Sequence, residues 1–136
     1  MATLEQRRAA YALRHVESAH DGDDLNDAKL RTQLVKLPAR LHNNGLGPTA
    51  AYLRAQKPDS AERHLFTWLE CWLTRADGGI YAESTCLLDA ITGKGGAVKD
   101  GQEEILYRRA SVEARALAVW LKRFAEAFLR ESEEAA

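Results

Sequence analysis

Residues 107–128 read Tyr107-Arg-Arg-Ala-Ser-Val-Glu-Ala-Arg-Ala-Leu-Ala-Val-Trp-Leu-Lys-Arg-Phe-Ala-Glu-Ala-Phe128. This is the most regular stretch of the chain, because its apolar residues alternate spacings of three and four, the period of an α-helix with one apolar face. Those residues are Tyr107, Ala110, Ala114, Leu117, Leu121, Phe124 and Phe128. The pattern predicts a long C-terminal helix that packs in a bundle or a coiled coil and forms the spine of the fold.

A second amphipathic helix is predicted in the first half of the chain from four leucines at helical spacing. They are Leu30, Leu34, Leu37 and Leu41. Pro38 lies inside this pattern, and a proline there removes a backbone hydrogen bond and favours a kink. Because the leucine spacing continues beyond Pro38, we expect one kinked helix. Gly45 is expected to end it in a left-handed conformation, and Pro48 to lie in the first turn of a short helix over residues 48–56.

Two further helices are indicated on either side of this region. The first covers about residues 4–19 and is followed by an acidic turn at residues 20–24. The other begins at Asp59, which forms a capping-box pattern with Glu62 three residues later. It carries two tryptophans one turn apart, and side chains of this size are expected in the core.

The remaining segments complete an all-helical pattern. A short helix is expected over residues 86–91, followed by a glycine-rich surface loop over residues 93–101. No segment alternates polar and apolar residues as a strand does, and no internal repeat is evident. The sequence therefore predicts an all-α fold, a compact bundle of about five or six helices with a long C-terminal helix, in which residues 1–136 form a single domain.

The charge balance neither requires nor excludes an anionic partner. Nineteen basic residues face 20 acidic ones, for a net charge of -1. No apolar run is long enough for a membrane span, and the charged N-terminus resembles no secretory signal, so we expect a cytoplasmic protein. Cys71 and Cys86 lack CxxC spacing and are expected to be buried free thiols.

No catalytic pattern is found in the sequence. The four histidines include no pair at the spacing that places two imidazoles on one helical face. Residues 92–96 contain a Gly-Lys pair but lack the other residues of a phosphate-binding loop. The many carboxylates lie among basic residues, where solvated ion pairing is their usual role. We therefore expect a protein that is not an enzyme and that uses no metal and no cofactor.

Basic residues recur along one side of three predicted helices, and such rows suit contact with a phosphate backbone. The candidate RNA-binding residues are Lys36, Arg40, Arg108, Arg115, Lys122, Arg7 and Arg14. On the C-terminal helix the basic residues recur at intervals of seven, opposite the apolar seam. The alternative is that each row is an ordinary solvated helix side, since glutamates share the same face.

Three segments of the chain resemble one family, the small helical subunit of the type III-B CRISPR effector, which is the fifth protein of the Cmr complex. They are residues 3–12, residues 37–53 with the sequence Asn-Gly-Leu-Gly, and residues 107–127 with the sequence Trp-Leu-Lys-Arg-Phe-Ala. Together these segments cover about half of the chain in matching order. The sequence departs from the family at Pro48, where a longer polar residue is expected, and over residues 77–102, which we interpret as a local insertion.

The resemblance implies a non-catalytic role in a ribonucleoprotein. Small subunits of this family stack into a short filament that borders the guide RNA and the target RNA, while other subunits cleave the target. The implied partners are the other Cmr subunits, further copies of this chain, guide RNA and target RNA. Base pairing reads the sequence in such systems, and the protein holds the sugar-phosphate path.

Two alternatives remain open at this stage. The corner at residues 37–47 is either an end of the subunit that meets the next copy, or only a tight connection between two helices. The whole protein is alternatively a helical protein–protein adaptor without direct nucleic-acid contact, which would dock a partner through its apolar seam or its tryptophans.

Overall fold

The computed structural model describes residues 2–21, 26–74, 79–83 and 85–130. Within these residues the predicted all-α class is confirmed, with six α-helices, one turn of 3-10 helix and no strand. The helices are α1 (Leu4–Asp21), α2 (Asp27–Asn44), α3 (Leu46–Arg54), α4 (Ala61–Thr74), α5 (Leu87–Thr92) and α6 (Glu103–Phe128).

Helix α6 is the central element and packs chiefly against α1 and α2. Its buried face is rich in alanine, and small side chains allow the neighbouring helices to approach closely. The buried residues are Ala110, Glu113, Ala114, Leu117, Ala118, Leu121 and Ala125. The predicted seam is therefore confirmed at its centre. At its end it is wrong, because Phe128 is the last residue of the helix and is 48% exposed.

Helix α2 is continuous through Pro38, as the leucine spacing predicted. All four of its leucines are buried in the core. The side chain of Asn26 caps its N-terminus by accepting hydrogen bonds from the N–H groups of Ala28 and Lys29, at 2.9 and 3.2 Å.

A sharp corner connects α2 to α3, and its conformation differs from the expected one. Gly45 has φ 86° and ψ 167°, so its φ is positive as predicted, but its ψ lies outside the left-handed helical region. Only glycine adopts this conformation readily. The N–H of Gly45 donates to the carbonyl of Leu41 and closes α2 at 3.0 Å. Helix α3 then begins at Leu46, two residues earlier than predicted, and Pro48 lies in its first turn as expected.

Helix α4 carries the two predicted core tryptophans, since Trp68 and Trp72 are both buried. The predicted capping box at Asp59 is wrong. The residue directly before the helix is Ser60, and its Oγ accepts a hydrogen bond from the N–H of Arg63 at 3.2 Å.

The described residues between α4 and α6 include more regular structure than the glycine content suggested. Helix α5 lies close to the predicted short helix at residues 86–91. The glycine-rich loop contains a 3-10 turn at Lys94–Gly96, and Val98 packs into the core. Neither Cys71 nor Cys86 forms a disulfide with a described residue, but Cys71 is only partly buried and Cys86 is exposed, so their expected burial is wrong.

Helix α1 contributes Tyr11, Ala12 and Val16 to the core. It extends through His20 and Asp21, which were expected in an acidic turn; the rest of that turn lies outside the described residues. In the described part of the chain, no helix combines the length and the apolar character that a membrane span requires.

Candidate nucleic-acid interface

The basic row of α6 lies on the solvent side of the helix, opposite the buried alanines. Arg108 pairs with Glu104 one turn away, but both side chains are about three-quarters exposed, and such pairs contribute little. Arg115 is exposed and Lys122 is partly exposed. Neither forms an ion pair with a described residue, so their charge is not neutralised by the part of the fold that the structure describes.

An apolar row lies beside these basic residues and was missed in the sequence. Ile105, Val112 and Val119 are 53%, 58% and 52% exposed. Their spacing of seven places them on one side of α6, next to the basic row. The sequence did contain a signal for this row, because its three apolar residues recur at intervals of seven outside the apolar seam. The outer face of α6 therefore offers both charge and apolar surface.

The basic residues of α2 lie near the corner with α3. Lys36 is exposed, and Arg40 is partly buried one turn later on the same side of the helix. The guanidinium carbon of Arg40 lies 4.8 Å from the ring centroid of Tyr52, a cation–π contact between α2 and α3. One Nη of Arg40 also donates a hydrogen bond to the side-chain oxygen of Gln33.

A surface groove of about 570 Å³ opens at this corner, where α2 ends and α3 begins. It is lined by Arg40, Asn43, Asn44, Pro48, Thr49 and Tyr52. Among these residues Arg40 alone was predicted from the sequence to bind RNA. The signal for Tyr52 was its position on α3, because it lies off the face that buries Ala50 and Leu53.

Hydrogen bonds to neighbouring elements hold the groove walls. The hydroxyl of Tyr107 on α6 accepts a hydrogen bond from the N–H of Gly47 at 2.8 Å, so α6 satisfies one of the free amides at the start of α3. The hydroxyl of Thr49 donates to the carbonyl of Arg40 at 3.1 Å and ties α3 to α2. The corner is thereby connected to the rest of the bundle.

The candidate residues of α1 have different neighbours from those of α2 and α6. Arg7 donates a hydrogen bond to the carbonyl of Ala2 at 2.9 Å. Arg14 is exposed, and its guanidinium carbon lies 5.7 Å from the ring centroid of Tyr11. Tyr11 in turn packs on Trp72 of α4 at 4.7 Å between centroids. The three predicted rows thus lie on three helices with separate local surroundings.

A buried ion pair between α1 and α6 was not foreseen. Glu113 is 6% exposed and accepts two hydrogen bonds from Arg8, at 2.6 and 2.9 Å, and one from the indole N–H of Trp72 at 3.0 Å. The hydrogen bond to Glu113 raises the pKa of Arg8. This carboxylate therefore does not follow the expectation of solvated pairing, because it connects α1, α4 and α6 inside the protein.

The other shifted pKa values also result mainly from burial. Burial raises the pKa of Tyr11, whose hydroxyl donates to the carbonyl of Trp68 at 2.6 Å. Burial and then the charge of Arg14 lower the pKa of His15. Burial raises the pKa of Tyr81 to about 12, with a smaller contribution from Tyr107. None of these groups lines the corner groove.

No grouping of three or more His, Cys, Asp or Glu side chains that would suit a metal ion occurs within residues 2–21, 26–74, 79–83 and 85–130. In a comparison with protein-family models, the chain matches the family described as CRISPR-associated protein (Cas_Cmr5) over residues 4–128. The matched range includes residues 77–102, the segment interpreted as a local insertion. A comparison with curated proteins gives no match.

Proposed function

The chain belongs to the Cmr5 family of CRISPR-associated proteins, and from this premise we propose that it is a non-catalytic small subunit of a type III-B Cmr ribonucleoprotein. In this proposal copies of the chain stack along the path of guide RNA and target RNA. They help the complex to assemble and to bind its target in antiviral defence. The partners are the other Cmr subunits and further copies of this chain, and the site of action is the cytoplasm.

The family match is the observation that carries this proposal, because it extends over nearly the whole chain, from residue 4 to residue 128. The exposed cations support the RNA contact within it. Arg115 and Lys122 present charge on one side of α6 without a counter-ion from the described residues. Charge on a rigid element suits contact with phosphates, which requires reach rather than base-specific placement.

The location of the perturbed groups supports a non-catalytic role. Shifted pKa values often mark catalytic sites when the groups lie together in a cleft. Here Arg8, Tyr11 and His15 lie on α1 where it packs on α4 and α6, and their partners are helix side chains and a backbone carbonyl. These contacts hold helices together, and they account for the shifted pKa values without a catalytic role.

The salt dependence of RNA binding tests the phosphate contacts of α6. We compare the wild type with Arg115→Ala/Lys122→Ala, using single-stranded RNA and protein assembled with its partner subunits. Each phosphate contact on a single strand contributes about 0.7 to the slope of log K against log salt, so the double variant is expected to lose about 1.4 from that slope. Its affinity at low salt falls accordingly.

Lys94→Ala/Lys99→Ala is the matched control, since it removes the same charge from two exposed lysines outside α6. It is expected to retain the wild-type slope. If both double variants bind with the wild-type slope, the basic row of α6 is only a solvated helix side. If both lose the same amount, binding depends on total charge and not on this row.

A second candidate function is a helical protein–protein adaptor without direct nucleic-acid contact. The features first considered for docking are buried: the centre of the α6 seam packs on α1 and α2, and Trp68 and Trp72 lie in the core. The exposed row of Ile105, Val112 and Val119 favours this function instead, because apolar residues at intervals of seven suit packing against another helix.

Val112→Asp separates the two candidates. For the adaptor, this variant loses its partner subunits in co-purification, and Arg115→Ala/Lys122→Ala leaves RNA binding unchanged. If the protein instead contacts RNA, Arg115→Ala/Lys122→Ala lowers the slope of log K against log salt, whether or not Val112→Asp loses its partner subunits. The unfolding transition of Val112→Asp serves as the control, and it is expected to match the wild type because the side chain is 58% exposed.

A further inference from the structure

The geometry points to a binding site for a single unpaired nucleobase in the groove at the α2–α3 corner. The inference rests on the proposed RNA contact and extends it from phosphates to bases. Of the six residues that line the groove, two supply flat surfaces and two supply free amides. Unpaired bases are recognised through both features, by stacking and by hydrogen bonds along their edges.

The flat surfaces are the guanidinium of Arg40 and the ring of Tyr52. They already contact each other, with 4.8 Å between the guanidinium carbon and the ring centroid, and Tyr52 remains 44% exposed. The hydrogen bond to Gln33 fixes the orientation of Arg40. A base that stacks here extends an existing pair, so little side-chain freedom is lost on binding.

The free amides belong to Asn43 and Asn44 at the end of α2. Both side chains are exposed, and neither forms a hydrogen bond with a described residue. Each amide offers an acceptor oxygen and two donor hydrogens. Base edges present the complementary donors and acceptors, so these amides can bond to a base that is held against Tyr52.

The charge around the groove favours a nucleotide over a peptide. No residue that lines it is acidic, while Arg40 is a member of the lining and Lys36 lies one turn away on the same side of α2. A second groove, of about 720 Å³ between the starts of α2 and α4, differs in this respect because Asp59 and Glu62 line it together with Lys29 and Lys57, so its charges balance. The net positive lining of the corner groove therefore favours the phosphates that flank a bound base.

The test compares two probes with equal charge, an oligouridylate of about 12 nucleotides and its abasic counterpart. Both are titrated against the full chain, alone and assembled with its partner subunits. We expect the wild type to bind the oligouridylate about tenfold more tightly than the abasic probe, since stacking of one base supplies a difference of this order. Tyr52→Ala is expected to remove that preference without changing the salt slope, while Tyr52→Phe keeps it.

Arg40→Lys keeps the positive charge but removes the planar guanidinium. We therefore expect a weaker preference for the oligouridylate and an unchanged salt slope. A Tyr52→Ala protein that still prefers the oligouridylate overturns the base site and leaves the phosphate contacts of α6 standing. If neither probe binds in either setting, the RNA contact itself is wrong and the base site falls with it. Loss of a partner subunit from Tyr52→Ala with the base preference retained overturns the site in favour of a protein contact.

Discussion

The guanidinium groups of Arg8 and Arg40 have very different partners. Arg8 bonds to the buried carboxylate of Glu113 in the junction of α1 and α6, where its charge is neutralised by the fold. Arg40 meets a neutral amide and the ring of Tyr52 at the edge of an open groove. A cation with a counter-ion inside the protein holds helices together, whereas a cation without one keeps its charge for a ligand.

Removing the buried carboxylate of Glu113 is expected to have the largest effect on stability. Glu113→Ala removes the buried partner of Arg8, whose side chain is 11% exposed, and leaves Arg8 with the largely exposed carboxylate of Glu5. It also leaves the Trp72 indole N–H without its acceptor. Breaking such a pair typically costs about 3–5 kcal/mol, so we expect a loss of this order in the free energy of unfolding, measured in urea.

Glu104→Ala is the matched control, because it removes a carboxylate from an exposed pair with Arg108 on the same helix. Its loss is expected to stay below about 1 kcal/mol. Equal losses in Glu113→Ala and Glu104→Ala would mean that the buried pair contributes no more than a surface pair does.

At the α2–α3 corner, Gly45→Val tests whether the backbone conformation requires a glycine. The backbone of Gly45, at φ 86° and ψ 167°, is strained for any side chain, and such strain costs about 1–3 kcal/mol. We expect a lower melting temperature than in the wild type. Ala51→Val introduces a valine at an exposed position of α3 and should lower the melting temperature less. An unchanged melting temperature in Gly45→Val would refute a required glycine conformation.

A weaker test of the same corner removes a single hydrogen bond. Tyr107→Phe deletes the acceptor of the Gly47 N–H, and we expect a loss of about 1 kcal/mol in the free energy of unfolding. Tyr52→Phe removes a hydroxyl that bonds to no described residue, so it should be neutral. If the two phenylalanine variants are equally stable, α6 does not support the start of α3 through this bond.

The smallest expected effect is a pH dependence of stability that comes from His15 on α1. Because burial lowers the pKa of His15, the unfolded chain takes up a proton at a higher pH than the folded chain does. The contribution of His15 to stability is therefore complete above its unfolded pKa of about 6.5, and it is lost as pH falls through the lowered folded value. Unfolding in urea at about pH 5 and pH 7.5 measures this difference.

His15→Gln is the comparison for that measurement, since the carboxylates that also titrate there are common to both proteins. We expect the wild type to lose more stability than the variant between the two pH values. Parallel losses would show that His15 does not titrate with a lowered pKa, and its packing between Tyr11 and Trp68 would then carry no electrostatic cost.

Local patterns were predicted well because they depend on neighbours in the sequence. The leucine spacing of α2 and the seam of α6 reflect helical period alone, and both elements are present. Even the local prediction failed at the start of α4, since Ser60 and not Asp59 directly precedes that helix.

The features that define the two compared regions could not be read from the sequence, because their partners are far apart along the chain. Arg8 and Glu113 are separated by 105 residues, and Gly47 and Tyr107 by 60. Helical spacing assigns a residue to a face, but only packing decides which face of another helix it meets. The sequence therefore indicated Arg40 as a surface cation, while Asn43 and Asn44 became candidates only once the groove was known.

Purification of the tagged full chain from its native host tests whether the protein acts within a Cmr ribonucleoprotein. We expect the wild type to co-purify with other Cmr subunits and with RNA that ribonuclease removes. Arg115→Ala/Lys122→Ala, compared in parallel with Lys94→Ala/Lys99→Ala, is expected to carry less RNA per particle than its control. A wild-type protein that emerges alone, without subunits and without RNA, would contradict the account.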